Sequence, residues 1–255
     1  MELQQHKVKL IVVAVVFYLI LVVANLPATQ VINRIPLPSS ISITGVNGTL
    51  WDGSADTVTV EGVQVESLHW DLSVFSLLIG KVSVDIHAGN ANLPDLISFK
   101  GNVNFSLFSQ TLDVQEGTLF LPTHLVLAQV PLPIPVRASG RFYLDASNIT
   151  YSLKKNQCLA ITANGGWGNA AVSGTTGMID FGQFKAQIQC VEDSIQVQVN
   201  PENVLNLDVT ATLSAQGQIK ANGRFKPNET LPKEVHQAAS LFGRADSQGY
   251  YSIAI

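Results

Sequence analysis

Charged residues are scarce in this sequence. Asp, Glu, Lys and Arg make up 13% of its 255 residues and hydrophobic residues 46%, whereas charged residues supply about a quarter of an ordinary soluble domain. The formal net charge at pH 7 is −4, and lysines and arginines form no run longer than two. Because nucleic-acid binding depends on clustered positive charge, we expect no nucleic-acid partner.

Familiar catalytic patterns are absent as well. The sequence contains neither H-E-x-x-H nor G-x-S-x-G, and the glycines of Gly165–Gly168 match no Walker or dinucleotide-binding pattern. The adjacent acids Glu192 and Asp193 fall between predicted strands, as in a solvated hairpin turn. We therefore predict no enzymatic activity, no cofactor, no metal site and no small-molecule substrate.

Only two cysteines are present, Cys158 and Cys190. Two thiols without a histidine nearby in sequence are too few ligands for a structural zinc site. A pair can close a disulfide in an oxidising compartment, and closing a loop of about 33 residues would stabilise the fold by roughly 3 to 4 kcal/mol. We predict this disulfide, with two unrelated buried thiols as the alternative.

The sequence has one long hydrophobic run, Leu10–Ala24. The run extends over residues 8–28 if it is allowed to include the polar residues Lys9 and Asn25. As a helix the extended run would span about 30 Å, the thickness of a hydrocarbon core. We predict an uncleaved transmembrane anchor over residues 10–28, with a cleaved secretory signal as the alternative. Because basic residues precede the run, residues 1–9 are predicted to stay in the cytoplasm and the rest to be exported.

Beyond the anchor, residues 29–40 contain two prolines and are predicted to form an extended linker. From residue 41 to 255, apolar and polar residues alternate, as at Leu68, Trp70 and Leu72. This alternation is typical of antiparallel strands with one solvated face, so it predicts a mainly β domain of about a dozen short strands. A closed barrel, a sandwich and an open trough all fit the pattern.

Three segments depart from the alternation. Ser73–Gly80 is predicted to form a short helix ended by glycine, although it also fits a buried strand. Thr230–Gly243 is predicted to be an amphipathic helix with Thr230 as its N-cap and Gly243 at its end. The proline-rich Pro122–Pro135 is predicted to be an edge strand, with an extended partner-binding surface as the alternative.

The two halves of the chain show internal similarity. Val136–Phe142 matches Ile219–Phe225 in residue type at every position, and an Ile-Thr, an Asn-Gly and a Trp precede each copy in the same order. The simplest account is a duplicated β-meander over residues 41–142 and 159–225. Chance similarity between β-rich segments is the alternative.

The stretch GVNGTLWDGSA, residues 45–55, places a leucine and a tryptophan among turn residues. Glycines beside an aromatic residue suit a ligand-binding loop. However, the second half repeats the Asn-Gly and the tryptophan, there Trp167, without the rest of the motif. We therefore predict a structural role, in which Gly48 and Gly53 lie in turns or bulges around a very short strand and Trp51 packs inward to fix register.

Taken in order, several of these features resemble protein N of bacterial type II secretion systems. They are the apolar run, GTLWDGSA, Leu68–Ser73 with Trp70, Leu77–Gly80, Leu132–Pro135, the cysteine pair, Leu241–Asp246 and Gly249–Tyr250. The likeness covers nearly the whole chain and rests on order and spacing rather than on one specific motif.

The resemblance implies a small Gram-negative inner-membrane protein that crosses the membrane once and lies mostly in the periplasm. It implies a structural or assembly role in exporting folded proteins across the outer membrane. Its partners would be other secretion components of the inner membrane or the secretin, and the lipid bilayer around its N-terminal helix. The resemblance supplies no catalytic residues. A membrane-anchored periplasmic lipid-handling protein is the alternative, and it would need an open groove lined by Val, Ile and Phe.

Overall fold

The computed structural model describes residues 2–128 and 136–254, with side chains for residues 10–128 and 136–254. Its described part contains one antiparallel sheet of 14 strands, which confirms the predicted mainly β fold. The strands are β1 (Ile41–Thr44), β2 (Asn47–Gly48), β3 (Asp52–Val60), β4 (Val63–Leu72), β5 (Lys81–Ala88), β6 (Ser98–Ser106), β7 (Thr111–Pro122), β8 (Ala138–Ser152), β9 (Gln157–Ser173), β10 (Met178–Val191), β11 (Ser194–Val199), β12 (Asp208–Leu213), β13 (Ile219–Phe225) and β14 (Tyr251–Ala254). The helices are α1 (Glu2–Ala24), α2 (Ala28–Ile32), α3 (Val74–Leu78), α4 (Thr123–Leu127), α5 (Lys233–Ala239) and a 3-10 turn (Ser240–Phe242).

The sheet is a meander in which each strand pairs with the next one along the chain. The exception is β2, which pairs only with β3, so that β1 and β3 are neighbours. Among the described strands, β1 pairs only with β3 and β14 only with β13. The described sheet is therefore open, which favours the trough among the three arrangements that the alternation allowed.

Because the strands alternate in direction, their connections fall at two ends of the sheet. The turns after β4, β6, β8, β10 and β12 lie at one end, and those after β3, β5, β7, β9, β11 and β13 lie at the other. The tip of the β2–β3 hairpin belongs to the first group, since the Leu72 amide at the end of β4 donates to the Trp51 carbonyl at 2.6 Å. We call the first group the α1 end, because α1 also ends there, and the second the far end.

The core lies on the face of β9 and β10 that α5 covers. Ala170, Phe181 and Phe184 are buried there, and Val235 of α5 packs against them. Phe181 and Phe184 are an odd number of residues apart and would face opposite sides of a regular strand. A bulge at Gly182, where φ is 67°, shifts the register and turns both rings to the same side.

The N-terminal elements differ from the predicted boundaries. Helix α1 ends at Ala24 rather than at residue 28, because Pro27 disfavours helical backbone at the residue before it. Among the residues whose side chains the structure describes, which begin at Leu10 in α1, no helix has the length and apolarity needed to cross a membrane. Residues 29–40 are not extended throughout, since they begin in α2, which packs on β2 and buries Ala28.

Both predicted short helices form, although one begins differently. In α3, the Ser73 hydroxyl accepts a hydrogen bond from the Ser76 amide and caps the first turn. Helix α5 starts at Lys233 with Pro232 in the cap position. Thr230 is not the cap, because its amide and its hydroxyl both bond to the Asn228 side chain. The helical segment ends at Gly243, where φ is 120°.

The proline-rich segment is not an edge strand over its described part. Pro122 is the last residue of β7, a central strand, and the chain then turns into α4. The buried Thr123 hydroxyl donates to the Gly140 carbonyl at 2.7 Å and ties α4 to the start of β8. Residues 129–135 lie outside the described residues, and with them the Leu132–Pro135 part of the predicted strand.

The two suggested repeats differ in backbone form at their starts. Asn47–Gly48 is a separate two-residue strand before a turn, whereas Asn164–Gly165 lies inside the continuous strand β9. Their closing segments are more alike, since Phe142 and Phe225 both lie on meander strands that pair on each side.

Candidate functional site

The GTLWDG motif forms a tight hairpin. Gly48 and Gly53 face each other in the β2–β3 pair, and the Thr49 amide donates to the Asp52 carbonyl at 2.8 Å across the tip. Gly48 has a φ of 81°, and a Cβ at Gly53 would overlap the indole of Trp70. Both positions therefore require glycine.

The hairpin tip holds the C-terminal end of α1. The Trp51 indole N–H donates to the Val23 carbonyl at 2.7 Å, and the Leu50 amide donates to the Leu26 carbonyl at 2.9 Å. The Trp70 indole N–H in turn donates to the Leu50 carbonyl at 3.0 Å. Val23 lies in the last turn of α1 and its carbonyl also accepts from the Leu26 amide at 3.2 Å, so the Trp51 indole is a second donor to the helix end.

This position of Trp51 differs from the predicted one. Trp51 is half-buried at a four-residue turn and contacts a helix, rather than packing inward between strands. The Trp51 carbonyl accepts from the Leu72 amide at the end of β4, while its indole N–H reaches the Val23 carbonyl of α1. The motif therefore joins the helix to the sheet.

Trp167 lies at the centre of the core face of the sheet. It is opposite Phe142 on β8 and Phe184 on β10. The three rings stack, with centroid distances of 5.3 Å and 5.7 Å and interplanar angles of 9° and 20°. The Trp167 indole N–H donates to the Thr123 hydroxyl and the Ser139 carbonyl, each at 3.1 Å, so its polar atom is satisfied.

Two adjacent cavities of about 620 Å³ and 430 Å³ flank this aromatic row, and we call them together the apolar groove. They share Trp167, Phe184 and Leu205. The larger cavity is lined mainly by aliphatic side chains from neighbouring strands: Leu119, Leu121, Leu144, Ala186, Ile188, Val197, Val199 and Leu207. Side chains of this kind can hold an apolar chain and offer no nucleophile.

The predicted disulfide is present. Cys158 and Cys190 are bonded, with their Cα atoms 5.9 Å apart. Regular pairing of β9 with β10 extends only to Thr162 and Gln189, so the disulfide closes the open end of this long hairpin. It joins the two strands that carry the core.

Arg141 is the only ionisable group among the described residues that lies against both an aromatic ring and a buried polar side chain. Its guanidinium is 4.3 Å from the Phe120 ring centroid and donates to the Leu96 carbonyl and the Ser98 hydroxyl, each at 3.2 Å. Burial lowers the pKa of Arg141 from its ordinary value. These contacts hold the β5–β6 connection against β8, so Arg141 has a structural role here.

The C-terminal Asp246–Tyr250 segment is a turn built on one carboxylate. The Asp246 carboxylate accepts hydrogen bonds from the Tyr250 amide at 2.9 Å and the Gln248 amide at 2.8 Å, and the first of these contributes most to lowering the pKa of Asp246. Arg224 of β13 lies over the Tyr250 ring at 4.7 Å. The turn thus positions β14 at the edge of the sheet.

Histidines and carboxylates do not converge into a metal site in the part of the chain that the structure describes. His69 and His87 lie directly opposite each other on β4 and β5, both exposed. His124 and His236 lie on α4 and α5.

Comparison with known proteins places these features in a family. The family model described as type II secretion system (T2SS), protein N, matches residues 39–254. The chain belongs to this family. The match spans the described sheet from β1 to β14, and it confirms the resemblance drawn from the order of the sequence motifs.

Curated members of the protein N family align over most of the chain. The type II secretion system protein N of Vibrio cholerae is 27% identical over 231 residues, which cover 90% of each chain. That of Aeromonas hydrophila is 24% identical and covers 98% of this chain and 97% of its own. That of Klebsiella pneumoniae is 23% identical, with 91% and 88% covered. No solved structure matches the chain.

Proposed function

We propose that this chain is a membrane-anchored component of a type II secretion system, with a structural or assembly role in exporting folded proteins across the outer membrane. The observation that carries the proposal is the protein N family match over residues 39–254. The apolar groove and the hairpin at the end of α1 contain no constellation suited to bond-breaking chemistry, which is consistent with a structural role.

In this proposal α1 lies in the inner membrane with its N-terminus in the cytoplasm, and the sheet lies in the periplasm. The large apolar side chains of α1 between Leu10 and Val23 are 44% to 70% exposed, so the rest of the chain does not cover them. Basic residues precede them in sequence, which favours a cytoplasmic N-terminus. The disulfide suits an oxidising compartment.

The partners in this proposal are other inner-membrane components of the secretion system or the secretin. The open sheet offers two edges for contact, β1 and β14, each four residues long. An edge strand presents backbone groups that can pair with a strand of a partner. Contact through these edges requires no bound cofactor.

A second candidate function is lipid handling in the periplasm, and the apolar groove is the observation that favours it. The sheet is open and its core face carries adjacent apolar cavities of about 620 Å³ and 430 Å³. A lipid-handling role predicts that phospholipid co-purifies with detergent-free preparations of the soluble part of the chain that follows α1.

The proposed function is tested by deleting the gene in its host and measuring where a secreted substrate accumulates. We expect the substrate to remain in the periplasm and the wild-type gene to restore secretion. The complemented strain, extracted with alkaline carbonate, should retain the chain in the inner-membrane fraction. Unimpaired secretion, together with no cross-link to any other secretion component, would contradict the proposal.

A further inference from the structure

The most exposed apolar side chains outside α1 all lie at the α1 end of the sheet. Among the described residues these are Phe108 (85% exposed), Phe75 (82%), Leu78 (80%), Ile79 (66%) and Ile219 (64%). Scattered exposed apolar residues need no explanation, but a cluster of large ones marks a contact surface.

Four of these side chains lie together on two neighbouring connections, the α3 connection between β4 and β5 and the β6–β7 turn. Helix α3 carries Phe75 and Leu78, Ile79 is its C-cap, and the chain then turns at Gly80, where φ is 73°. The Leu107 amide donates to the Gly80 carbonyl at 3.0 Å, and the Phe108 ring lies so close to Gly80 that a Cβ there would collide with it. The β6–β7 turn is thus packed against α3.

The β8–β9 turn continues the same surface. The Leu153 amide donates to the Gln110 carbonyl at 2.9 Å, and Leu153 is 53% exposed. We define the apolar rim as Phe75, Leu78, Ile79, Phe108 and Leu153. It lines three consecutive turns at the α1 end.

The apolar rim starts beside the point where α1 leaves the sheet. Leu72, whose amide bonds to the Trp51 carbonyl, is two residues before α3, and Trp51 also holds the Val23 carbonyl of α1. The exposed apolar surface of α1 is therefore continued by exposed apolar surface on the sheet. A membrane that contained α1 would have its surface at this end.

Lysines lie on and beside the turns that carry the apolar rim, and carboxylates lie at their borders. The turns have Lys81, Lys154 and Lys155 beside them, Asp71, Asp85 and Asp113 follow on the strands, and the Asp193 carboxylate of the β10–β11 turn accepts a hydrogen bond from the Gln157 side chain. Lysines beside aromatic and leucine side chains suit an anionic lipid surface, where the ammonium groups meet phosphates and the rings enter the headgroup region.

We propose that the apolar rim lies in the headgroup region of the bilayer. The α1 end of the sheet would then contact the membrane surface directly, and α1 would not be its only attachment. The proposal rests on the proposed anchoring of α1. The bilayer is the expected occupant because the rim continues the exposed apolar surface of α1, and because Lys81, Lys154 and Lys155 beside it can meet lipid phosphates.

The test uses the full chain in vesicles of phosphatidylcholine and phosphatidylglycerol. Single cysteines are introduced and labelled with an environment-sensitive fluorophore, while the native pair is protected as a disulfide. Phe108→Cys and Leu78→Cys report on the apolar rim, and Tyr18→Cys reports on α1. Leu93→Cys is the matched control, an exposed leucine on the far-end β5–β6 connection. Nitroxide-labelled lipid is the quencher.

We expect the labels at 108 and 78 to be quenched several-fold more strongly than the label at 93. Strong quenching at 18 with rim labels no more quenched than the control would overturn the rim proposal and leave the anchor intact. Rim labels that are shielded only when another secretion component is added would overturn it as well, in favour of a protein partner. No quenching at 18 would refute the anchor itself.

Discussion

At the scale of single residues, the joint between α1 and the sheet depends on the Trp51 indole N–H. In Trp51→Phe the ring is largely kept, and the 2.7 Å hydrogen bond to the Val23 carbonyl is lost. One neutral hydrogen bond contributes about 1 kcal/mol, so local opening of the joint should become about fivefold more frequent. We expect hydrogen exchange of the Leu50 amide, which bonds to the Leu26 carbonyl, to accelerate by that factor in detergent micelles.

The matched control is Trp167→Phe, which also removes an indole N–H but at the apolar groove. It loses the bonds to Thr123 and Ser139 and should leave exchange of the Leu50 amide unchanged. If Trp51→Phe left that amide as protected as in the wild type, the hairpin tip would not be what holds the end of α1.

At the scale of elements, the β9–β10 hairpin is closed at its open end by the Cys158–Cys190 disulfide. Replacing both cysteines with serine removes the cross-link that closes a loop of about 33 residues. The unfolded chain gains conformational entropy, which should lower the free energy of unfolding by about 3 kcal/mol. Urea denaturation measures this as a lower midpoint. Wild type reduced with dithiothreitol should match the double variant, and an unchanged midpoint in both would rule out a stabilising role.

How far the elements could be predicted depends on the range of the interactions that set them. Strand β4 follows from the local alternation at Leu68, Trp70 and Leu72, and α3 follows from the local cap at Ser73. By contrast, the partner of Trp51 lies 28 residues away on another element. Its own neighbourhood in the sequence contains nothing that specifies that contact.

The apolar groove was beyond prediction for a related reason. The stack of Phe142, Trp167 and Phe184 requires three strands in a particular register, and register shifts occur in both strand pairs that hold it. A shift of one residue would turn a side chain to the other face. Alternation shows which residues share a face of one strand, but not which residues meet across strands.

At the scale of the whole molecule, an open meander distributes stability unevenly. Most strands pack only on their neighbours in sequence, so the sheet behaves like a chain of nearest-neighbour contacts. The buried aromatic core is on β10, with α5 against it. Before β7, the buried hydrophobic side chains in the described part of the chain are alanines: Ala28, Ala55 and Ala88.

This distribution predicts graded local unfolding. Amide protection should be highest in β8–β10, where long strands, the disulfide and the aromatic core coincide, and should decrease strand by strand toward β1. Native-state hydrogen exchange followed by mass spectrometry measures the opening free energy of each strand. We expect reduction of the disulfide to lower protection most in β9 and β10 and least in β1–β4, because coupling passes only between neighbours. Uniform protection, falling equally everywhere on reduction, would mean that the sheet unfolds as a single cooperative unit.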